Sequence, residues 1–155
     1  MEGIIIAVLN LAVNGAKALI GMNKKTKEKL VKVYLEVCRN KTVLTQSGLL
    51  NTANIACDDD TFTAAAKKLS NDETTPLFKF NEKRIFFPNG SKEIERRKTQ
   101  YALNYTVKQI DDLKIIADGK RNKNAPKVHL TVRLKTLYKH LTQLEKVLLP
   151  VRKKK

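Results

Sequence analysis

The stretch VHLTVRLKTLYKHLTQLEKVLL, residues 128–149, decides how the rest of the chain is read. Within it Leu130, Leu134, Leu137, Leu141, Leu144 and Leu148 recur at alternating steps of four and three. That is the a/d spacing of a heptad, and it sets all six leucines on one stripe of a helix. A leucine left in water forgoes roughly 1.5–3 kcal/mol of burial, so the stripe needs a cover. Val128, Val147 and Leu149 widen it beyond a two-stranded seam, toward a bundle of three or more helices.

The nearest cover lies just upstream. Lys92 to Asp118 runs without Gly or Pro between a capping Ser91 and Gly119, a fitting C′ residue, so a long helix is predicted there. Its apolar members are Ile94, Tyr101, Leu103, Tyr105, Val107, Ile110, Leu113 and Ala117. They drift around the helix as in a straight bundle helix. The connector from Gly119 to Pro126 is a surface loop, and two long helices joined by a short loop pair antiparallel. Residues 91–155 therefore read as an antiparallel helical hairpin closed by the basic tail Arg152-Lys153-Lys154-Lys155.

At the other end, Ile4 to Ile20 is the most apolar run. Its polar members Asn10, Asn14 and Lys17 fall on one narrow stripe, which suits a central helix of the bundle. It is short for a membrane span, and Glu2 stands where a signal peptide would be basic. The runner-up is a helix that touches a membrane. Residues 1–22 are taken as an N-terminal core helix, and an intracellular location, in cytoplasm, nucleoid or nucleus, is expected.

Between these lies a segment with its own order of elements, residues 23–90. A helix is predicted over 24–40 and a short β-prone piece at Thr42–Leu44. A second helix follows from Thr45 to Ala56, then the turn Asp58-Asp59-Asp60, then a third helix from about Asp60 to Asn71. Leu77-Phe78-Lys79-Phe80 and Arg84-Ile85-Phe86-Phe87, joined by Asn81-Glu82-Lys83 and bracketed by Pro76 and Pro88, read as a β-hairpin. This order resembles the winged helix-turn-helix fold over roughly residues 24–88. The resemblance implies a third helix that enters the DNA major groove and a hairpin that touches the backbone. Carried over by position, it implies contacts from Thr61, Thr63, Lys67 and Lys68 on the helix and Lys79, Lys83 and Arg84 on the wing. Asp58, Asp59 and Asp60 depart from that picture, because three carboxylates at the helix start repel phosphate.

Charge selects the partner. Thirty-one Lys and Arg against fifteen Asp and Glu leave a formal net charge of +16, an excess that points to a polyanion. Basic clusters recur at 24–32, 67–68, 79–84, 96–98, 120–127 and 152–155. Arg96, Arg97, Lys120, Arg121 and Lys123 join the expected nucleic-acid contacts. Only 6% of the residues are aromatic and Trp is absent, which disfavours a base-stacking single-strand platform. Duplex DNA is placed ahead of RNA. An acidic protein or an anionic membrane is the next partner class, for a chain that acts in assembly or regulation.

Catalytic chemistry is sparse. The sequence contains no glycine-rich phosphate loop, nucleophile elbow or zinc-ligand spacing, and no cofactor or metal is implied. Cys38 and Cys57 read as small buried hydrophobes in a reducing compartment. Arg133 and His140, six residues apart, resemble the Arg-x4–6-His signature of HEPN ribonucleases, which are also helical bundles. Helical period alone puts the two on one face, so catalysis stays a remote alternative. The expected molecule is mainly α: a winged-helix-like middle with one hairpin, an N-terminal core helix and a C-terminal helical hairpin. It is expected to bind nucleic acid without catalysis and to self-associate through what remains of the leucine face.

Overall fold

The structure, a computed structural model, describes residues 2–77, 93–119 and 129–153. It is mainly helical: α1 spans Glu2–Asn14, α2 Lys24–Gln46, α3 Asp60–Lys68, α4 Glu93–Ala117 and α5 Leu130–Lys153. Short 3-10 turns occupy Gly15–Leu19 and Leu49–Asn51. The described residues include no strand.

The leucine stripe is the spine of this assembly. All six leucines are buried on α5, with Val147 and Val151 extending the same face. α2 and α4 flank α5, α1 packs on all three, and α3 bridges α2 and α4. The cover is therefore found within the chain. Leu130, Leu134, Leu137, Leu141, Leu144 and Leu148 are not available to a second copy, and the expected self-association through them is corrected. α5 continues through Pro150 to Lys153; the proline lacks an N–H and cannot bond the carbonyl one turn earlier.

Side-chain contacts give the directions. On α2, the Cys38 thiol donates to Glu145 Oε2 at 3.4 Å and the Lys41 ammonium pairs with Glu145 Oε1 at 3.1 Å. The Thr131 hydroxyl donates to the Thr52 carbonyl at 3.0 Å. α2 and α5 thus run antiparallel. Lys98 lies beside Lys139 and Gln143, and Tyr105 beside Arg133 and Thr136, so α4 and α5 are antiparallel as predicted. Gly119, with φ +69°, closes α4 as the expected left-handed residue.

Two expectations in the middle segment fail. α2 runs unbroken to Gln46, so Thr42–Leu44 is not β and no helix spans 45–56. Val43 and Leu44 carry on the apolar stripe of Leu30, Val33 and Val37. The hydroxyls of Thr42 and Thr45 bond back to the Cys38 and Lys41 carbonyls at 3.0 and 3.1 Å, so their polar groups are satisfied inside the helix. Gly48, at φ +75°, ends the run, and residues 52–59 carry no helix. Without a second helix, the order that carried the winged-helix resemblance is not met. The hairpin residues 78–87 lie outside the described residues, while Leu77, expected to open its first strand, is helical together with Thr75 and Pro76. A single hydrophobic cluster reaches from Ile4 to Val151, so the division at 22 and 90 does not separate independent cores.

α1 has the expected central character: Ile5, Val8, Leu9 and Leu11 are buried, while Asn14 and Lys17 are exposed. Gly15 at φ +56° turns the end of the segment into a 3-10 turn. No described helix is long and apolar enough to cross a membrane. Asp59, one residue earlier than expected, caps α3 by accepting from the Phe62 N–H at 3.0 Å.

An acidic side chain fastens α3 to α2. Glu36 is only 4% exposed. Its Oε2 accepts from the Glu73 N–H at 2.8 Å and the Ser70 hydroxyl at 3.1 Å, and its Oε1 from the N–H and hydroxyl of Thr74. One turn on, the Asn40 amide bonds both the carbonyl and the N–H of Ser70, at 2.7 and 2.9 Å. A buried carboxylate is tolerable only with such donors around it. Glu36→Ala leaves these donors without an acceptor, at about 1–3 kcal/mol each. The expected loss is at least about 3 kcal/mol in urea unfolding, and a loss below about 1 kcal/mol would refute the clamp.

Candidate nucleic-acid interface

α4 carries two stripes with different fates. Leu103, Val107, Ile110 and Leu113 enter the core. Ile94 and Tyr101, seven residues apart and so on one face of the helix, remain 68% and 60% exposed. Both belong to the drifting apolar stripe of this helix. The drift marks where the core face ends and a surface groove begins.

That groove lies between the first half of α4 and the middle of α5. Ile94, Arg97, Lys98 and Tyr101 line it from α4, and Lys139, His140 and Gln143 from α5, around an open volume of about 400 Å³. Three of these seven side chains are cations and none is acidic. Arg97, Lys98 and Lys139 are exposed, where a phosphate can approach them from solvent.

The floor is aromatic. The His140 ring meets Tyr101 edge-on at 5.2 Å between centroids and Tyr105 at 4.5 Å, and the two tyrosines stand 6.3 Å apart. Such edge contacts fix ring orientation. Burial lowers the His140 pKa from its ordinary 6.5, and the Lys139 charge acts in the same direction, so the imidazole is neutral at neutral pH. Burial raises the Tyr105 pKa, opposed by its hydrogen bond with Thr136 and the charge of Arg133. His140 is therefore a half-buried member of a three-ring cluster with Tyr101 and Tyr105.

The expected contact residues do not form one surface. Arg97 enters the groove, and the half-buried Arg96 precedes it on α4. Thr61 and Lys68 line a different groove, between α2 and α3, together with Asp60. The Thr63 hydroxyl donates to the Asp60 carbonyl of its own helix at 3.2 Å. Lys67 and Lys68 are exposed at the end of α3. Asn71, just beyond them, bonds the Val107 carbonyl and Asp111 on α4. Val107 is eleven residues from Arg96, about 16 Å along the helix, so the α3 and α4 clusters are separate. Lys79, Lys83, Arg84, Lys120, Arg121 and Lys123 lie outside the described residues. Lys98 and Lys139 were not among the expected contacts. Their signal was available: Lys98 belongs to the basic run 96–98, and Lys139 is adjacent to His140.

Helix direction also sorts the charge. α2 and α4 both run opposite to α5, so the lysines that begin α2 and the basic start of α4 lie toward the C-terminal half of α5. Asp58, Asp59 and Asp60 lie by the other end of α2, across from Gln46 and Ser47. The acidic triplet is thus far from the α4–α5 groove, and its repulsion of phosphate does not reach it strongly at physiological salt. Cys57 is exposed and Cys38 half-buried, both free; Cys57 is not the buried residue expected. Among the described residues no cluster of His, Cys, Asp and Glu could hold a metal ion.

The His140 shift has a definite sign. The folded pKa lies below the unfolded one, so the unfolded chain takes up the proton first as pH falls. Stability from this residue is full above about pH 6.5 and declines on acidification toward the lower folded value. The groups facing it are Tyr101, Tyr105, Arg97, Lys98 and Lys139. His140→Gln is expected to flatten the fall of the melting temperature between pH 6.5 and 5; identical profiles for both proteins would contradict this.

Scans against protein-family models, curated proteins and solved structures return no match, so the chemistry of the groove is read from its own residues.

Proposed function

We propose that this chain binds nucleic acid, double-stranded DNA first, through phosphate contacts in the α4–α5 groove and without catalysis. The observation that carries the reading is that the exposed cations Arg97, Lys98 and Lys139 converge on one groove, in a chain of net charge +16. Neutralising backbone phosphates releases counterions, and this supplies most sequence-independent affinity. Lys24, Lys25 and Arg152, exposed toward the same half of the bundle, extend the positive field that steers a polyanion to the groove.

A second reading has one observation in its favour. Arg133 and His140 both lie beside Tyr105, as a ribonuclease pair on one face would. Against it, the imidazole is engaged by two tyrosine rings, Tyr101 at 5.2 Å and Tyr105 at 4.5 Å between centroids. Cleavage of RNA that is lost in His140→Ala would support this reading; absence of cleavage by the unaltered protein ends it.

The binding proposal is tested by duplex affinity against salt. Each phosphate contact contributes a slope of about −0.9 in log K against log salt. Arg97→Ala/Lys98→Ala/Lys139→Ala is expected to reduce the slope by about 2 to 3 and weaken binding across all sequences. Lys67→Ala/Lys68→Ala should change it much less. A slope near zero in the unaltered protein rejects the electrostatic reading, and a defined oligomer indifferent to DNA would favour an assembly role.

A further inference from the structure

We propose that the α4–α5 groove holds an unpaired nucleobase stacked on Tyr101, from a strand whose phosphates lie against Arg97, Lys98 and Lys139. The inference rests on the nucleic-acid reading above and adds to its backbone contacts a seat for one unpaired base, as at the single-stranded tail or junction of a duplex.

Phosphate alone leaves half of the groove without a use. Three cations suffice for a backbone contact, yet the same groove exposes the Tyr101 ring and the Ile94 side chain. Both are large and apolar, and they stand two helical turns apart on the same face. A ligand that matches the whole groove has negative charge on its outside and a flat apolar face that can be set against a ring. A nucleotide has both. An anionic lipid headgroup and an acidic peptide provide the charge but no planar π-face.

Tyr101 is also prepared for stacking. The edge of His140 at 5.2 Å and the tilted ring of Tyr105 at 6.3 Å support it from the protein side. Little conformational freedom remains to be lost when a base settles on the outer side. Gln143, at the α5 rim, carries both a donor and an acceptor, which suits the polar edge of a base. Base–tyrosine stacking tolerates any base, since each presents a π-face.

Pairing state follows from geometry. In a continuous duplex each base is covered on both faces by its neighbours, so Tyr101 reaches a face only where a base is unstacked. Among its described residues the groove has one exposed aromatic, which suits a single nucleotide at a single-stranded tail or junction. Sequence preference is expected to be weak.

The experiment uses the full chain with oligothymidine carrying one 2-aminopurine, either single-stranded or paired within a duplex. Stacking on Tyr101 is expected to quench the probe in the single strand and to leave it unchanged inside the duplex. Tyr101→Ala should remove the quenching and weaken single-strand binding about tenfold, while Tyr101→Phe retains both. The ring is largely exposed, so both variants should melt close to the unaltered protein. Unchanged quenching and affinity in Tyr101→Ala, with the salt dependence intact, would overturn the stacking inference and leave the nucleic-acid reading in place. No binding of either oligonucleotide at low salt would overturn both. Displacement of the single strand by phosphatidylserine vesicles or polyglutamate, at equal charge concentration, would overturn the selection of a base.

Discussion

Everything in this bundle depends on covering one leucine stripe. The α5 leucines together represent burial on the order of 10 kcal/mol before the entropy of ordering is subtracted. α2 covers the stripe from one side, α4 from the other, and α1 fills between them. Because the cover is intramolecular, α5 becomes a central helix with core on one face. Its remaining face carries Lys135, Lys139, Thr142 and Lys146, all exposed. A helix made to face a partner on one side is left with a charged strip on the other.

The groove is a by-product of how α4 meets that spine. A straight helix keeps a fixed set of residues in contact with its neighbour only over a few turns, because 3.6 residues per turn do not match a seven-residue repeat. Toward its start, α4 turns Ile94 and Tyr101 out of the core, while Ala102, Leu103 and Thr106 remain in it. Aromatic and apolar groups therefore surface beside Arg97 and Lys98, next to Lys139 across the helix junction. His140 packs against both tyrosines from α5. Stability and the candidate site thus share residues: the side of Tyr105 that packs on His140 is also the support of the exposed ring.

A second device, the Glu36–Asn40 pair, was not visible in the chain because it reads two ways. Val31, Val33, Leu35 and Val37 alternate like a strand, and Glu36 between them looks like one of its solvent positions. Helical spacing reverses that assignment. With Leu30, Val33, Val37 and Leu44 buried, Glu36 and Asn40 fall on the inner face, where the backbone and hydroxyls of residues 70–74 supply donors. Those donors come from more than thirty residues away, and no local pattern encodes them. The same ambiguity broke the middle segment wrongly at Thr42, since threonine and valine favour strands in isolation but pack readily on a buried helical face.

Local periodicity in the sequence by itself determined the long helices, the glycine that ends α4, the antiparallel pairing of α4 with α5, the apolar N-terminal helix and the strong positive charge. Each follows from spacing within one stretch, where 3.6-residue repeats and chirality leave few alternatives. Only the tertiary structure decided that α2 shares with α4 the cover of the leucine stripe, that the basic runs at 67–68 and 96–98 are apart, and that Tyr101 faces outward among cations. Those outcomes depend on which surfaces remain after the helices have packed, and packing sums contacts over the whole chain.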